Sequence, residues 1–302
     1  MLRPLGASIP AVVAALALAL CSSLAWGVAD FVAGLKSRSL PVASVMLVAV
    51  VTGLLLAGGV VAVRGAGPPA MAYLGFGALS AVAGSIGLAA FYRGLAVGSM
   101  SVVAPIAATG AAVPVAFGLA SGERPTALQA AGAVLAIAGV VLAAREQSPE
   151  EPAPGPAVVR PRAQLARGAP LAVLAAVGLG SFLVAIDAAS EGDVGWAILT
   201  NRVVSLALIA LAALVLRARL PAGLRDAAPA VAVGLLETTA NALIAVATTV
   251  GLVSLVGVLA SLYPIVTVAL ARVVLGERIA RSQQLGAVAA LAGVVMIAAG
   301  AG

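Results

Sequence analysis

Glu237 is the residue of this sequence with the strongest case for chemistry, because it lies in the middle of the apolar stretch GLLETTANALIAVATT. An ionisable side chain at the centre of a bilayer costs at least about 2.5 kcal/mol, so such a residue is a functional candidate by default. Gly234, Asn241 and Thr248 share its face in a helical reading and form a polar stripe. The stripe predicts a carboxylate that binds a substrate amine or takes up a proton. The alternative is a structural Glu paired with Asn241 or with an arginine.

A second carboxylate, Asp30, follows Ser22 and Trp26 at intervals of four residues, so these three side chains share one side of a helix. Trp26 would offer a flat wall that is apolar or accepts a cation. The alternative is that Asp30 is hydrated near the end of its span and that Trp26 is an interfacial anchor. Asp187, close to Glu191, is expected at a solvated loop edge.

Arg202 and Arg272 are the two cations placed inside apolar stretches. Arg202 is expected to face a carboxylate, with Glu237, Asp187 and Asp30 all open as partners; a structural ion pair and a ligand for a substrate carboxylate are the two interpretations. Arg272 lies near enough to the end of its stretch for its charge to reach the interface.

Tyr263 and Pro264 stand together in another apolar stretch. Proline removes a backbone hydrogen bond and bends a helix, which predicts either a kink beside a cavity, with Tyr263 lining it, or a kink used for packing alone.

The composition requires that the elements carrying these residues lie in lipid. Apolar residues make up 63% of the 302-residue chain, charged residues 9%, and the mean hydropathy is +1.17, whereas soluble domains carry about a quarter charged residues. The net charge of +6 is spread over short loops without interleaved aromatic residues, so we expect no nucleic-acid partner. The chain has no histidine and one cysteine, Cys21, which excludes imidazole-based catalysis, His-based metal sites and an internal disulfide. We expect no cofactor.

A membrane-crossing helix needs about 20 apolar residues, and the sequence predicts an all-α integral membrane protein with ten such spans. They are expected at 10–34, 41–63, 70–94, 99–120, 125–144, 169–188, 194–216, 229–249, 253–274 and 282–300. The first is a span, since its apolar run is too long for a signal peptide. The Pro-rich segment 145–168 is expected to be a solvated linker without packed structure between two units, 1–144 and 169–302.

The two units repeat each other. Residues 122–144 and 276–298, 154 positions apart, are identical at 13 of 23 positions, and both begin Gly-Glu-Arg. An odd number of spans per unit turns the second copy upside down, which predicts two inverted five-helix repeats with a solute path between them. Glu123 and Glu277 are each expected to open a helix as part of the scaffold. The pairs Gly132/Gly139 and Gly286/Gly293 should permit close helix packing.

At the repeated element the chain resembles the drug/metabolite transporter superfamily, in particular its ten-span exporters with two EamA-type domains. The segment SLYPIVTVALARVVLGERIARSQQLGAVAALAGVVMI (261–297) is similar to that family's terminal signature, and Trp26-Gly27 and FYRGLAVGSMSVVAP (91–105) are similar to parts of its first repeat. The first copy departs from it where Gly110 stands in place of Pro264, so the kink of span four is expected elsewhere.

The resemblance implies transport of small metabolites such as amino acids or drug-like compounds, often outward, by alternating access around a central cavity. Glu237, Asn241, Asp30, Trp26, Arg202 and Tyr263 are the predicted binding or coupling residues. An importer or an uncoupled exchanger of a sugar or nucleotide-type solute remains open, and a membrane receptor or scaffold fits the duplication poorly. The intramembrane acids are single and dispersed, which argues against an enzyme.

Lys and Arg residues predict the orientation, because cytoplasmic loops carry an excess of them. Twelve lie in loops after odd-numbered spans and three on the opposite side, which puts both termini outside and the linker inside. The composition resembles GC-rich bacterial coding, so we expect a multi-pass protein of a bacterial plasma membrane, as a monomer or homodimer in contact with lipid and a small-molecule substrate.

Overall fold

The computed structural model describes residues 9–36, 40–97, 106–143, 161–218, 223–275 and 281–300. All the regular secondary structure in these ranges is helical. The helices are α1 Ile9–Lys36, α2 Val42–Arg64, α3 Met71–Val97, α4 Ala112–Ala120, α5 Ala127–Ala143, α6 Pro161–Ser190, α7 Val194–Val215, α8 Leu224–Val250, α9 Val253–Ala260, α10 Tyr263–Leu275 and α11 Arg281–Ala299; a 3-10 turn, Thr109–Ala111, precedes α4.

Six of these helices, α1, α2, α3, α6, α7 and α8, are long and apolar enough to cross a membrane. Shorter apolar helices occupy the positions of the other four predicted spans, at Ile106–Ala120, Ala127–Ala143, Val253–Thr267 and Arg281–Ile297. Large apolar side chains such as Leu55, Val63 and Leu214 are mostly exposed, as expected for helices that face lipid.

Helices of the first half pack on helices of the second half, and the same contacts recur when the two halves are interchanged. Helix α1 packs on α8 as α3 packs on α6, and α2 packs on α8 as α3 packs on α7. Helix α2 contacts its counterpart α7, and α5 contacts its counterpart α11. Replacing each helix by its equivalent in the other half therefore reproduces the same set of contacts, which is the pattern that a two-fold relation produces.

The same exchange is visible at single residues. Gly27 of α1 lies against Tyr263 and Val266, and Gly180 of α6 lies against Gly110 and Val113. Each residue of the first contact is 153 positions from its counterpart in the second. A side chain on either glycine would collide with the facing helix, so both glycines allow the same close approach.

The paired glycines of the repeated element meet directly. Gly132 of α5 faces Gly293 of α11, and Gly139 faces Gly286. The two helices therefore run antiparallel, and the two-fold relation interchanges the two glycine pairs. A Cβ on Gly132 would lie 2.7 Å from the carbonyl oxygen of Gly293. Only glycine permits this separation, as expected for small residues at helix interfaces in membranes.

The fourth and the ninth predicted spans, which are equivalent in the two copies, are interrupted at equivalent places. The predicted span 253–274 is two helices, α9 and α10, separated at Ser261 and Leu262, and Pro264 lies in the first turn of α10. Proline fits there because the first N–H groups of a helix have no intrahelical acceptor. In the first copy the 3-10 turn falls at Thr109–Ala111, so the expectation that this break would lie elsewhere was wrong. Pro114 lies in the first turn of α4 as Pro264 lies in the first turn of α10, so a proline follows the break in each copy.

Glu123 links the two halves instead of opening its own helix. Helix α5 begins at Ala127, where Thr126 and Gln129 cap it through reciprocal hydrogen bonds. The Glu123 carboxylate accepts hydrogen bonds of 2.6 and 3.1 Å from the backbone N–H groups of Val253 and Ser254, the first two residues of α9. A carboxylate is favoured at the positive end of that helix. Glu277 lies outside the described residues.

We expect Glu123→Ala to lower the free energy of unfolding by about 0.5–2 kcal/mol, the usual cost of losing a helix N-terminal cap. The two N–H groups of α9 would lose their acceptor. Thermal unfolding of the purified protein in detergent measures this, with Glu191→Ala as the control, because Glu191 is an exposed loop carboxylate. Equal melting temperatures for the two variants would contradict the capping role.

Helix α6 begins earlier than predicted. It starts at Pro161, so residues 161–168 at the end of the proposed linker are helical. Proline is well suited to a first helical position, and Arg, Ala, Gln and Leu, which follow it, are strong helix formers. The rest of the proposed linker, from 145 to 160, lies outside the described residues.

Candidate functional site

The ionisable residues predicted inside the membrane come together where α1, α7 and α8 meet. Arg202 of α7 pairs with Glu237 of α8, with 3.7 Å between Nη1 and Oε2. Asp30 of α1 is within electrostatic reach of Glu237 and of Tyr263 in α10. Of the three carboxylates predicted as partners for Arg202, the structure places Glu237 beside it. The cluster holds one guanidinium and two carboxylates.

Trp26 connects α1 to α8 and to α10. Its indole Nε1 donates a 3.0 Å hydrogen bond to Oδ1 of Asn241. Its ring meets that of Tyr263 edge to face, with 6.2 Å between centroids, and lies 6.2 Å from the ring of Phe182. Such geometry stabilises aromatic pairs. Trp26 is therefore an interior residue rather than an interfacial anchor.

Backbone contacts hold α1 in place against both neighbours. The Ser22 hydroxyl, which is fully buried, donates to the carbonyl of Ala240 in α8 at 2.8 Å. The Thr267 hydroxyl of α10 donates to the carbonyl of Gly27 at 3.1 Å. These two bonds, on either side of Trp26, fix the rotation of α1 and so direct Trp26 and Asp30 towards the second half.

A small cavity of about 30 Å³ reaches Glu237. It has room for about two water molecules. The other residues that line it are aliphatic and come from α1, α2, α3 and α8; they are Ala33, Val42, Val45, Met46, Ala49, Val50, Leu88 and Val233. Glu237 is the one polar side chain of this lining, and its side chain is 30% exposed. The cavity thus combines a carboxylate with an apolar wall built from both halves.

The polar residues of the site are not repeated in the other half of the chain, where the equivalent positions are leucine or glycine. Positions 153 residues from the cluster carry Leu179 for Trp26, Leu183 for Asp30, Gly110 for Tyr263, Gly84 for Glu237 and Leu88 for Asn241. The duplication therefore supplies the scaffold twice and the ionisable groups once. A function that needs these groups is confined to the side formed by α1, α7, α8 and α10.

Six predicted site residues, Glu237, Asn241, Asp30, Trp26, Arg202 and Tyr263, are thus joined in one network. Asp187 was wrongly predicted at a solvated edge: α6 continues to Ser190, and Asp187 is only 6% exposed. The side chain of Arg272 lies outside the described part of the structure.

Sequence reasoning missed Phe182, whose ring lies beside that of Trp26, and also Gly53 and Thr238; Gly53 lies against both Thr238 and Arg202. Of these three residues, only Gly53 could have been noticed in the sequence, because it is a glycine within a predicted apolar span. Within the described ranges, no group of three or more Cys, Asp or Glu residues is placed to bind a metal ion.

Two ion pairs join the halves at opposite ends of the bundle. Lys36 at the end of α1 pairs with Asp226 at the start of α8 at 3.0 Å. Arg64 at the end of α2 pairs with Asp193, the N-terminal cap of α7, at 2.8 and 3.1 Å. Burial alone would raise the pKa of Asp193, but hydrogen bonds from Arg64 and from the N–H of Trp196 lower it below its ordinary value.

The model of the EamA-like transporter family matches residues 13–145 and 166–299, which is most of the chain and both halves. The chain belongs to the EamA-like transporter family. It is thereby a multi-pass membrane protein of the drug/metabolite transporter superfamily, in contact with the lipid bilayer and with a transported small molecule.

A solved crystal structure has a similar fold over nearly the whole length of this EamA-like protein. It aligns with 93% of this chain and 95% of its own, with a TM-score of 0.73 and 17% sequence identity. At that identity the likeness concerns the fold alone. No curated protein matches the sequence significantly.

Proposed function

We propose that this protein is a secondary transporter that exports small metabolites, such as amino acids or drug-like compounds, from the bacterial cytoplasm across the plasma membrane. The observation that carries this proposal is the position of Glu237, which lies between the two halves, beside a cavity and within reach of Arg202 and Asp30. Ionisable groups in such a position mark solute and proton pathways in membrane proteins.

The transport mechanism is alternating access between two inverted five-helix repeats that together make ten spans, with units at 1–144 and 169–302. The reciprocal contacts of Gly132 with Gly293 and of Gly139 with Gly286 support the inversion, because the helices that carry them are antiparallel. Inverted repeats can exchange conformations, so that the cavity opens to one side of the membrane and then to the other.

Proton coupling follows from the charges of the cluster. The cluster contains two carboxylates, Asp30 and Glu237, and one guanidinium, so it has one unbalanced negative charge when all three groups are ionised. In a site of low dielectric constant that charge favours uptake of one cation, either a proton or the ammonium group of a solute. Competition of the two for Glu237 would couple outward movement of the solute to inward movement of a proton.

The two inter-repeat ion pairs agree with the predicted topology, in which each pair lies on one face of the membrane. The Lys36–Asp226 pair would lie on the cytoplasmic side and the Arg64–Asp193 pair on the outer side. Each pair then joins loops that the predicted topology places on the same face.

Flux measurements in liposomes test the proposed function. The purified protein is reconstituted, and uptake of a panel of amino acids, organic cations and sugars is measured with and without a pH gradient. We expect at least one amino acid or amphipathic amine to move faster than in protein-free liposomes, and faster still with the pH gradient. A panel without any protein-dependent flux would overturn the proposal.

A further inference from the structure

Arg202 has hydrogen-bonding capacity that the described residues do not use. The residue is only 4% exposed, and its Nη1 reaches the Glu237 carboxylate at 3.7 Å. Among the described residues no hydrogen-bond acceptor reaches Nε or Nη2, although both atoms are buried. Three of the five N–H groups of the guanidinium belong to these two atoms.

The two unused nitrogens form one edge of the guanidinium. Nε and Nη2 donate in parallel directions, and their spacing matches the two oxygens of a carboxylate, which can bind such an edge in a bidentate manner. A buried edge of this kind is costly when it is left without an acceptor. An oxyanion is the ligand that satisfies it best.

Thr238 adds a third unused donor at the same place. It is 3% exposed, and its hydroxyl has no partner among the described residues. Gly53 of α2 lies against both groups, since a Cβ on Gly53 would be 3.2 Å from Nε of Arg202 and would overlap Oγ1 of Thr238. The unused donors therefore converge where α2 of the first repeat crosses α7 and α8 of the second.

We propose that the Nε–Nη2 edge of Arg202, with the hydroxyl of Thr238, binds the carboxylate of the transported solute. This inference rests on the proposed function and adds the substrate class. That class is a solute with a free carboxylate, and the amino acid leucine is a suitable probe.

Binding of leucine and of leucinamide to the purified protein in detergent tests the proposal. Leucinamide keeps the ammonium group and the aliphatic side chain but lacks the carboxylate. We expect leucine to bind at least 10-fold more tightly than leucinamide to the wild-type protein. The preference should fall to less than 3-fold in Arg202→Lys, which keeps the charge and removes the bidentate edge.

Thr238→Val is the second variant, because it removes the hydroxyl with little change in shape and does not depend on the folding of an arginine variant. We expect it to weaken leucine binding 2- to 10-fold and to leave leucinamide binding unchanged. Melting temperatures of both variants control for folding.

The results separate this inference from the function on which it rests. If the wild-type protein transports or binds amines and leucinamide as well as leucine, the proposed function stands and the carboxylate site is wrong. The site is equally wrong if both variants keep the wild-type preference for leucine, because water would then satisfy the arginine edge. If no solute is bound or moved, both proposals fail.

Discussion

Glu237→Gln is expected to abolish solute exchange driven by a pH gradient and to leave the folded protein in the membrane. Glutamine has nearly the same size and hydrogen-bonding capacity as glutamic acid, but it cannot exchange a proton in the physiological range. In the variant, the positive charge of Arg202 and the negative charge of Asp30 cancel. The cluster therefore loses the unbalanced negative charge that attracts a proton or an ammonium group. Flux in liposomes with an imposed pH gradient measures the effect, and we expect it to fall to the rate of protein-free liposomes.

The matched control for this variant is Glu191→Gln, which removes an exposed carboxylate in the loop between α6 and α7. It should transport as the wild-type protein does. Size-exclusion profiles and melting temperatures show whether both variants are folded. Wild-type, pH-dependent flux in Glu237→Gln would exclude Glu237 as the coupling residue.

Gly139→Leu is expected to cause the largest loss of stability of any single change considered for the scaffold. A Cβ at this position would lie 2.6 Å from the carbonyl oxygen of Gly286 and 2.8 Å from Cα of Ala290. Both are backbone atoms of α11, so a rotamer change cannot relieve the overlap, and the helices must separate. Overpacking usually costs about 1–3 kcal/mol, and here the free energy of unfolding should fall by at least that much.

The control is Gly75→Leu in α3, because a Cβ on Gly75 would meet nothing within 4 Å. Leucine is a better helix former than glycine by several tenths of a kcal/mol, so this control should be neutral or slightly stabilised. Melting temperatures and the yield of monodisperse protein compare the two variants. If Gly139→Leu behaves as the control does, α5 and α11 do not pack through their glycines.

Much of the candidate site could be predicted from the sequence, because a polar residue in an apolar span is conspicuous. Glu237, Arg202 and Asp30 are conspicuous because their burial in an apolar span is costly, and the structure places them together. The partner of Arg202 could not be chosen among three carboxylates, since the choice depends on which faces of α7 and α8 meet. Phe182 and Thr238 were missed because neither residue type is unusual in a membrane helix.

The fold was predictable to the extent that it depends on the duplication. The Gly-Glu-Arg element located the equivalent helices, and their contacts are exchanged as an internal two-fold relation requires. The break at Thr109–Ala111 and the role of Glu123 could not be derived in this way. Both depend on contacts with the other half of the chain, and local sequence rules treat each helix alone.

The orientation of the two copies can be measured with single cysteines at equivalent loops. Cys21 is first replaced by Ser, because it is the only cysteine of the chain. Cysteine is then placed at Gly67, after α2, or at Gly223, after α7; both glycines are exposed, and a Cβ on either would meet nothing within 4 Å. A membrane-impermeant maleimide is applied to intact cells and to permeabilised cells.

We expect Gly67→Cys to be labelled in intact cells and Gly223→Cys only after permeabilisation, because inverted copies place equivalent loops on opposite sides of the membrane. Labelling of the second position alone would keep the inversion and reverse the orientation. Labelling of both from outside, or of neither, would show that the copies point the same way and would contradict transport by exchange between inverted repeats.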